Sequence, residues 1–180
     1  MEHAADKQGF RTVELAYIAL GAALIAVCAW ITVPFTVPFT MQLFAVFFVL
    51  TVIGGRNGTI AIAVYLLLGA VGIPVFSGFK AGFGVLVGMT GGYLVGMLLI
   101  GLVYWLLTKA LKTTVWTELI SFFIGLLLCY TFGTVWFTVL NSEKSFGAAL
   151  LVCVVPFIVP DLIKLGLAYW TGRKLRTLIR

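Results

Sequence analysis

A chain of 180 residues with 62% hydrophobic and only 10% charged side chains, at a mean hydropathy of +1.17, cannot build a water-soluble surface, since soluble domains hold apolar usage near ~45–50%. At roughly 20 apolar residues per spanning helix it crosses a bilayer about five to seven times as a single membrane domain, which leaves no mass for a catalytic domain outside the membrane. The net charge of +6 does not indicate nucleic acid, because the basic residues sit at the ends of apolar runs rather than in a patch interleaved with exposed aromatics.

The N-terminal tail MEHAADKQGFR is mixed in charge, with a solvated His3, and the apolar run after it is long enough to span and carries no cleavage signal. Turn residues then divide the chain into six predicted spans, 13–32, 40–54, 58–73, 84–107, 115–139 and 160–177. The predicted fold is an all-α integral membrane protein, a six-transmembrane-helix bundle with an outward-facing substrate pocket. An even number of spans puts both termini on one side. On that side fall Lys7, Arg11, Arg56, Lys109, Lys112, Arg173, Lys174, Arg176 and Arg180, nine of the twelve basic residues, whereas the opposite loops hold only Lys80 and Lys144. By the positive-inside rule both termini are expected to be cytoplasmic.

The first span carries Ala19 and Ala23, then Ala22 and Ala26, at four-residue spacing around Gly21. Small residues at this spacing suit close helix contact, within the fold or with another membrane subunit. The first outward loop repeats Val-Pro-Phe-Thr across residues 33–40, and it cannot be helical, because each proline lacks a donor and pushes its predecessor toward an extended conformation. Gln42 follows it, an amide too costly to face lipid without a partner or a cavity. The second outward loop, GIPVFSGFKAGFG, mixes glycines with aromatics and contributes Lys80 to the candidate ligand-binding residues. Irregular backbone at membrane depth is tolerated only where it is buried in protein or lines a cavity, so these loops point to a pocket near the outer face.

In the fourth span Gly84, Gly88, Gly92 and Gly96 recur every four residues beside Tyr93. The stripe admits another backbone or a flat ligand, and Tyr93 offers a hydroxyl that can donate or accept. The third outward loop, 140–159, contains the apolar segment FGAALLVCVVPFI, which is predicted to form a short helix or a re-entrant segment. In the alternative the sixth span starts near residue 146 and is kinked by its prolines. The last span opens with Pro160 followed by Asp161, and Lys164 lies three residues on. Residues at this spacing are neighbours on a helix, and ionisable groups within a membrane are costly enough to be read as functional. Pro160 is read as a helix start that would present Asp161 and free backbone N–H groups at an open end. Cys28, Cys129 and Cys153 stand singly in apolar segments without metal-ligand spacing. No G-x-x-x-x-G-K-[ST], H-E-x-x-H or G-x-S-x-G pattern occurs, so neither P-loop ATP hydrolysis nor those hydrolase chemistries are available.

The stretches VPFTVPFTMQLFAVFF, YLLLGAVGIPVFSGF, GFGVLVGMTGGYLVG and PFIVPDLIKLGLA resemble, in this order, the signatures of the BioY family, the biotin-specific membrane components (S components) of energy-coupling factor transporters. The similarity runs from about residue 14 to residue 172. Met89 departs from the proline expected in a GPTGGY-like stretch, and Val159-Pro160 replaces a Pro-Gly before the aspartate. The resemblance implies biotin binding from outside beneath the loop after the first helix, no resident cofactor, and a partner module of a transmembrane coupling subunit with two ATPases. It makes Asp161, Lys164, Tyr93, Gln42, Gly84, Gly88, Gly92 and Lys80 the expected ligand-binding residues, and the alanines of the first span, foremost Ala19 and Ala23, the expected docking face. Which end of biotin the Asp161–Lys164 pair holds is not decided by sequence. Two other classes compete with this reading. An intramembrane enzyme using Asp161 as general base lacks a second catalytic partner, and a channel would need polar lining along its length.

Overall fold

Eight α-helices and one minimal hairpin make up the computed structural model, which describes residues 11–34, 37–141 and 145–179. His3, Lys7, Lys144, Arg180 and part of the Val-Pro-Phe-Thr repeat, Phe35 and Thr36, lie outside the described residues. The helices are α1 (Thr12–Trp30), α2 (Gln42–Ile53), α3 (Gly55–Ala70), α4 (Phe83–Val87), α5 (Gly91–Ala110), α6 (Val115–Leu140), α7 (Phe146–Cys153) and α8 (Val155–Ile179). Six of them, α1, α2, α3, α5, α6 and α8, correspond to the six predicted spans, while α4 and α7 are short additions. Among the described residues α1, α5 and α6 are long and apolar enough to cross a bilayer alone, as is the α7–α8 pair, bent by 44° between its two parts.

The order of packing follows from side-chain size. α5 and α6 lie together along their length, α2 rests on α8, and α1 packs on α3 and α2. Glycines on both sides let α5 and α6 approach closely: a Cβ at Gly96 would stand 2.7 Å from Cys129 Sγ, and one at Gly125 would stand 2.9 Å from Ile100 Cα. In lipid, where apolar helices gain little from burying apolar surface, such backbone proximity supplies the van der Waals contact that holds them together. Thr114 and Ser145 cap α6 and α7, accepting from the backbone N–H of Thr117 and Ala148 at 3.2 and 3.4 Å.

The described ends of the Val-Pro-Phe-Thr repeat are extended, in keeping with its prolines. Its two ends form the strands β1 (Thr32–Val33) and β2 (Phe39–Thr40), paired antiparallel with Thr32 opposite Thr40 and Val33 opposite Phe39. The second outward loop is tied beside it. Trp30 Nε1 donates to the Pro74 carbonyl at 3.0 Å, the Trp30 and Phe79 rings stack at 5.0 Å, and Ser77 Oγ donates to Thr32 Oγ1 at 2.9 Å.

Two helix boundaries differ from the sequence reading. The fourth span does not begin at residue 84: the chain leaves α4 at Gly88, reverses, and re-enters a helix at Gly91, where any Cβ would collide with the Leu86 carbonyl. Gly84 and Gly88 are therefore not on the helix that carries Gly92 and Gly96, and the four-residue stripe is interrupted. The last helix begins at Val155 rather than Pro160. Pro156 occupies its first turn, where the missing N–H costs nothing, and Pro160 lies inside the helix. Asp161 consequently stands within a continuous helix and not at an open N-terminus.

Candidate functional site

At the hairpin end of the bundle two adjoining cavities, of about 80 and 60 Å³, share Val37, Pro38, Thr40, Tyr93 and Met97 as common wall. The first extends toward Gln42, Ser77, Lys80 and Thr90, and the second toward Tyr130, Phe157, Asp161 and Lys164. One mostly apolar groove thus runs beneath β2, with Lys80 toward one extremity and the Asp161–Lys164 pair at the other.

The inner extremity is built by α8. Asp161 and Lys164, only 2% and 5% exposed, point the same way because they are three residues apart on one helix, and Lys164 Nζ donates to Asp161 Oδ1 at 2.8 Å. Tyr130 of α6 donates its hydroxyl to Asp161 Oδ2 at 2.6 Å. Lys164 Nζ also sits 3.9 Å from the centroid of the Phe39 ring, which stacks at 6.2 Å on Phe157. The two charges cancel, as burial demands. A carboxylate accepts about four hydrogen bonds and an ammonium donates three, so each member keeps capacity for a further polar partner. The site therefore presents an acceptor and a donor side by side, a pattern that complements a neutral group carrying N–H and C=O together.

Tyr93 stands between the two cavities, its hydroxyl 3.0 Å from Thr134 Oγ1. Gln42 is buried and lines the first cavity, where its Nε2 donates to the Met97 sulfur at 3.1 Å. A thioether is a weak acceptor, which leaves that amide available to a better one. Lys80 lines the same cavity from the exposed second loop and forms no ion pair among the described residues.

The glycines do not join this site. Gly92 abuts the Trp136 side chain of α6, Gly88 supplies the carbonyl that Trp136 Nε1 binds at 3.0 Å, and Gly84 has nothing within 4 Å of its missing Cβ. None of the three lines either cavity. Of the alanines, Ala22 and Ala26 are buried in the bundle at 2% and 6% exposure and cannot meet a partner subunit, because they face the helices α1 packs against. Ala19 and Ala23, on the adjoining strip of the same helix, are exposed.

Tyr130, Phe39 and Phe157 join the site without any sequence signal, since nothing local connects residues dozens of positions apart. Glu118 is different. It is a buried carboxylate in an apolar helix, and the rule that singled out Asp161 also applies to it. Its Oε1 accepts from Tyr104 at 2.9 Å and Arg176 at 2.8 Å, and its Oε2 from Tyr169 at 2.9 Å. It stands at the opposite end of the bundle from Asp161, where the first turns of α1 and the last turns of α8 line a common cavity.

The family model for the BioY family matches residues 1–180. The chain is 44% identical over 157 residues to the biotin transporter BioY of Thermotoga maritima, covering 87% of this chain and 91% of that one. It is 39% identical over 159 residues to the biotin transporter BioY2 of Lactococcus lactis, covering 87% and 86%. Among solved structures, the crystal structure of the S component for biotin from an ECF-type ABC transporter superposes with a TM-score of 0.81 at 26% identity, covering 94% of this chain and 95% of that chain.

Proposed function

The chain belongs to the BioY family, and from that membership we propose that it is a multi-pass membrane subunit that captures biotin from outside for uptake by an energy-coupling factor transporter. The observation that carries the reading is the neutralised Asp161–Lys164 pair with Tyr130 at the inner end of the groove. A ureido ring offers N–H donors beside a carbonyl acceptor, and the pair offers an acceptor beside a donor. Because the pair is already neutral, it suits the uncharged ureido better than the carboxylate. Lys80, which has no acidic partner among the described residues and lies at the other extremity, is then the cation for the valerate carboxylate. Tyr93 and Gln42 line the groove between them.

Relatives named as transporters, and the missing ATP-hydrolysis pattern, leave the energy to a partner module, a transmembrane coupling subunit with two ATPases. The exposed Ala19 and Ala23 on α1 are the proposed docking face. No resident cofactor enters this reading, and the whole chain acts as one membrane domain. The basic residues at the end holding both termini support a cytoplasmic orientation for that end. Membrane-impermeant thiol labelling of Gly78→Cys and Thr113→Cys in intact cells checks the orientation: the Gly78→Cys variant alone should react, and the reverse pattern would invert the topology.

Calorimetric titration of the purified protein with biotin and with biotin methyl ester tests the binding mode. Biotin should bind to wild type, and the ester should bind about two- to fivefold more weakly, the worth of one exposed ion pair. In Lys80→Gln the two ligands should bind equally. No heat with biotin removes the proposed function, and an ester penalty that persists in Lys80→Gln moves the carboxylate elsewhere.

A further inference from the structure

At the end of the bundle opposite the biotin groove, Thr113, Thr114, Glu118, Arg173, Arg176 and Thr177 enclose a cavity of about 480 Å³. We infer that this cavity binds the phosphate of an anionic phospholipid headgroup. Its two guanidiniums are held in place. Arg176 donates to Glu118 Oε1 at 2.8 Å, and Arg173 donates at 3.2 Å to the Tyr169 hydroxyl, which itself donates to Glu118 Oε2. A guanidinium carries five N–H donors in a planar fork, so each arginine retains donors for an anion, and Arg173 has no carboxylate partner among the described residues. Glu118 spends both oxygens on Tyr104, Tyr169 and Arg176. Two guanidiniums against one carboxylate leave a surplus positive charge in a preorganised pocket, and the N-terminus of α6, capped at Thr114, adds its partial positive charge. The hydroxyls of Thr113 and Thr177 donate to backbone carbonyls and that of Thr114 pairs with Thr117, so these threonines shape the wall.

The surroundings identify the source of the phosphate. Trp116 and Leu178, close in the chain to the lining residues Thr114, Glu118 and Thr177, are 74% and 77% exposed. On a membrane helix such side chains meet acyl chains, with tryptophan at headgroup level. A basic pocket between helices at that depth recognises an anionic headgroup. This inference rests on the membrane fold and does not depend on the ligand at the other end.

The test is native mass spectrometry of the full chain in detergent with phosphatidylglycerol and phosphatidylcholine of matched acyl chains, and separately with inorganic phosphate as competitor. Wild type should retain phosphatidylglycerol about fivefold better than phosphatidylcholine, the effect of one interfacial cation. Arg173→Gln should abolish that preference, and Lys174→Gln, which removes the same charge from a side chain over Trp170 outside the cavity, should keep it. The double variant Glu118→Gln/Arg176→Gln removes one charge of each sign, so Arg173 keeps the surplus and the preference should persist. Displacement of phosphatidylglycerol by inorganic phosphate locates recognition in the phosphate itself, whereas undiminished retention shows that the whole lipid is held; both support the site. Phosphate binding without any lipid preference would overturn the lipid as ligand. Equal retention of the two lipids by wild type, or equal losses in Arg173→Gln and Lys174→Gln, would overturn the cavity altogether.

Discussion

Two donors reach Asp161 inside an apolar helix, Lys164 at 2.8 Å and Tyr130 at 2.6 Å. Removing either charge strands the other. Asp161→Asn and Lys164→Ala are each expected to weaken biotin binding by roughly 30- to 1000-fold, on the order of 2–4 kcal/mol, through one lost charge-assisted bond and one unpaired buried ion. Tyr130→Phe leaves the ion pair intact and deletes only a hydroxyl donor, for an expected loss of about tenfold. Calorimetric titration of folded variants measures all three, and wild-type affinity in the two charge variants would reduce the pair to architecture.

At the scale of the helix, the glycines of the fourth predicted span separate into two kinds. Gly92→Leu forces a side chain into Trp136 and threatens the Trp136–Gly88 bond, so it should destabilise the α5–α6 contact by about 1–3 kcal/mol or more. Gly84→Ala meets open space and should change stability by less than about 0.5 kcal/mol. Thermal unfolding in detergent compares them, and equal melting temperatures would contradict the packing. On α1 the same contrast runs around one helix. Ala19→Trp/Ala23→Trp alters an exposed face and should leave biotin binding intact while abolishing co-purification with the coupling module and ATP-dependent uptake in liposomes. Ala22→Trp enters the core and should impair folding itself. Full assembly and uptake by the double tryptophan variant would remove α1 from the docking surface.

Across the whole molecule, buried polar clusters stand at both ends and join different helices: Asp161 links α8 to α6, and Glu118 links α6 to α5 and α8. Helices in lipid lack a hydrophobic drive to associate, so satisfied polar networks help fix their register. Glu118→Ala leaves the Arg176 guanidinium and two tyrosine hydroxyls without their acceptor and should destabilise the fold by about 3–5 kcal/mol. The protein that remains folded should bind biotin with wild-type affinity, since Glu118 is remote from the groove. A matched loss of stability and affinity would show instead that the two ends are coupled through α8.

Membrane residence, the approximate helix order and the Asp161–Lys164 pairing are legible in the amino-acid sequence because each depends on local information: summed hydropathy, turn residues, and the three-residue neighbourhood of a helix. Glu118 obeys the same rule of the costly intramembrane charge, although no residue beside it in the chain announces a partner. The prolines mislead at residue 160, where a helix already formed at Val155 carries Pro160 in its interior. Tertiary structure alone decided which face of each helix is buried. A helix that is apolar all round has no polar stripe to orient it, so Ala22 and Ala19 look alike until α1 packs on its neighbours. It also brought Tyr130 and Phe39 to the charge pair and separated Gly84 and Gly88 from Gly92. Those outcomes depend on contacts between segments far apart in the chain, and residue spacing along one helix carries no record of them.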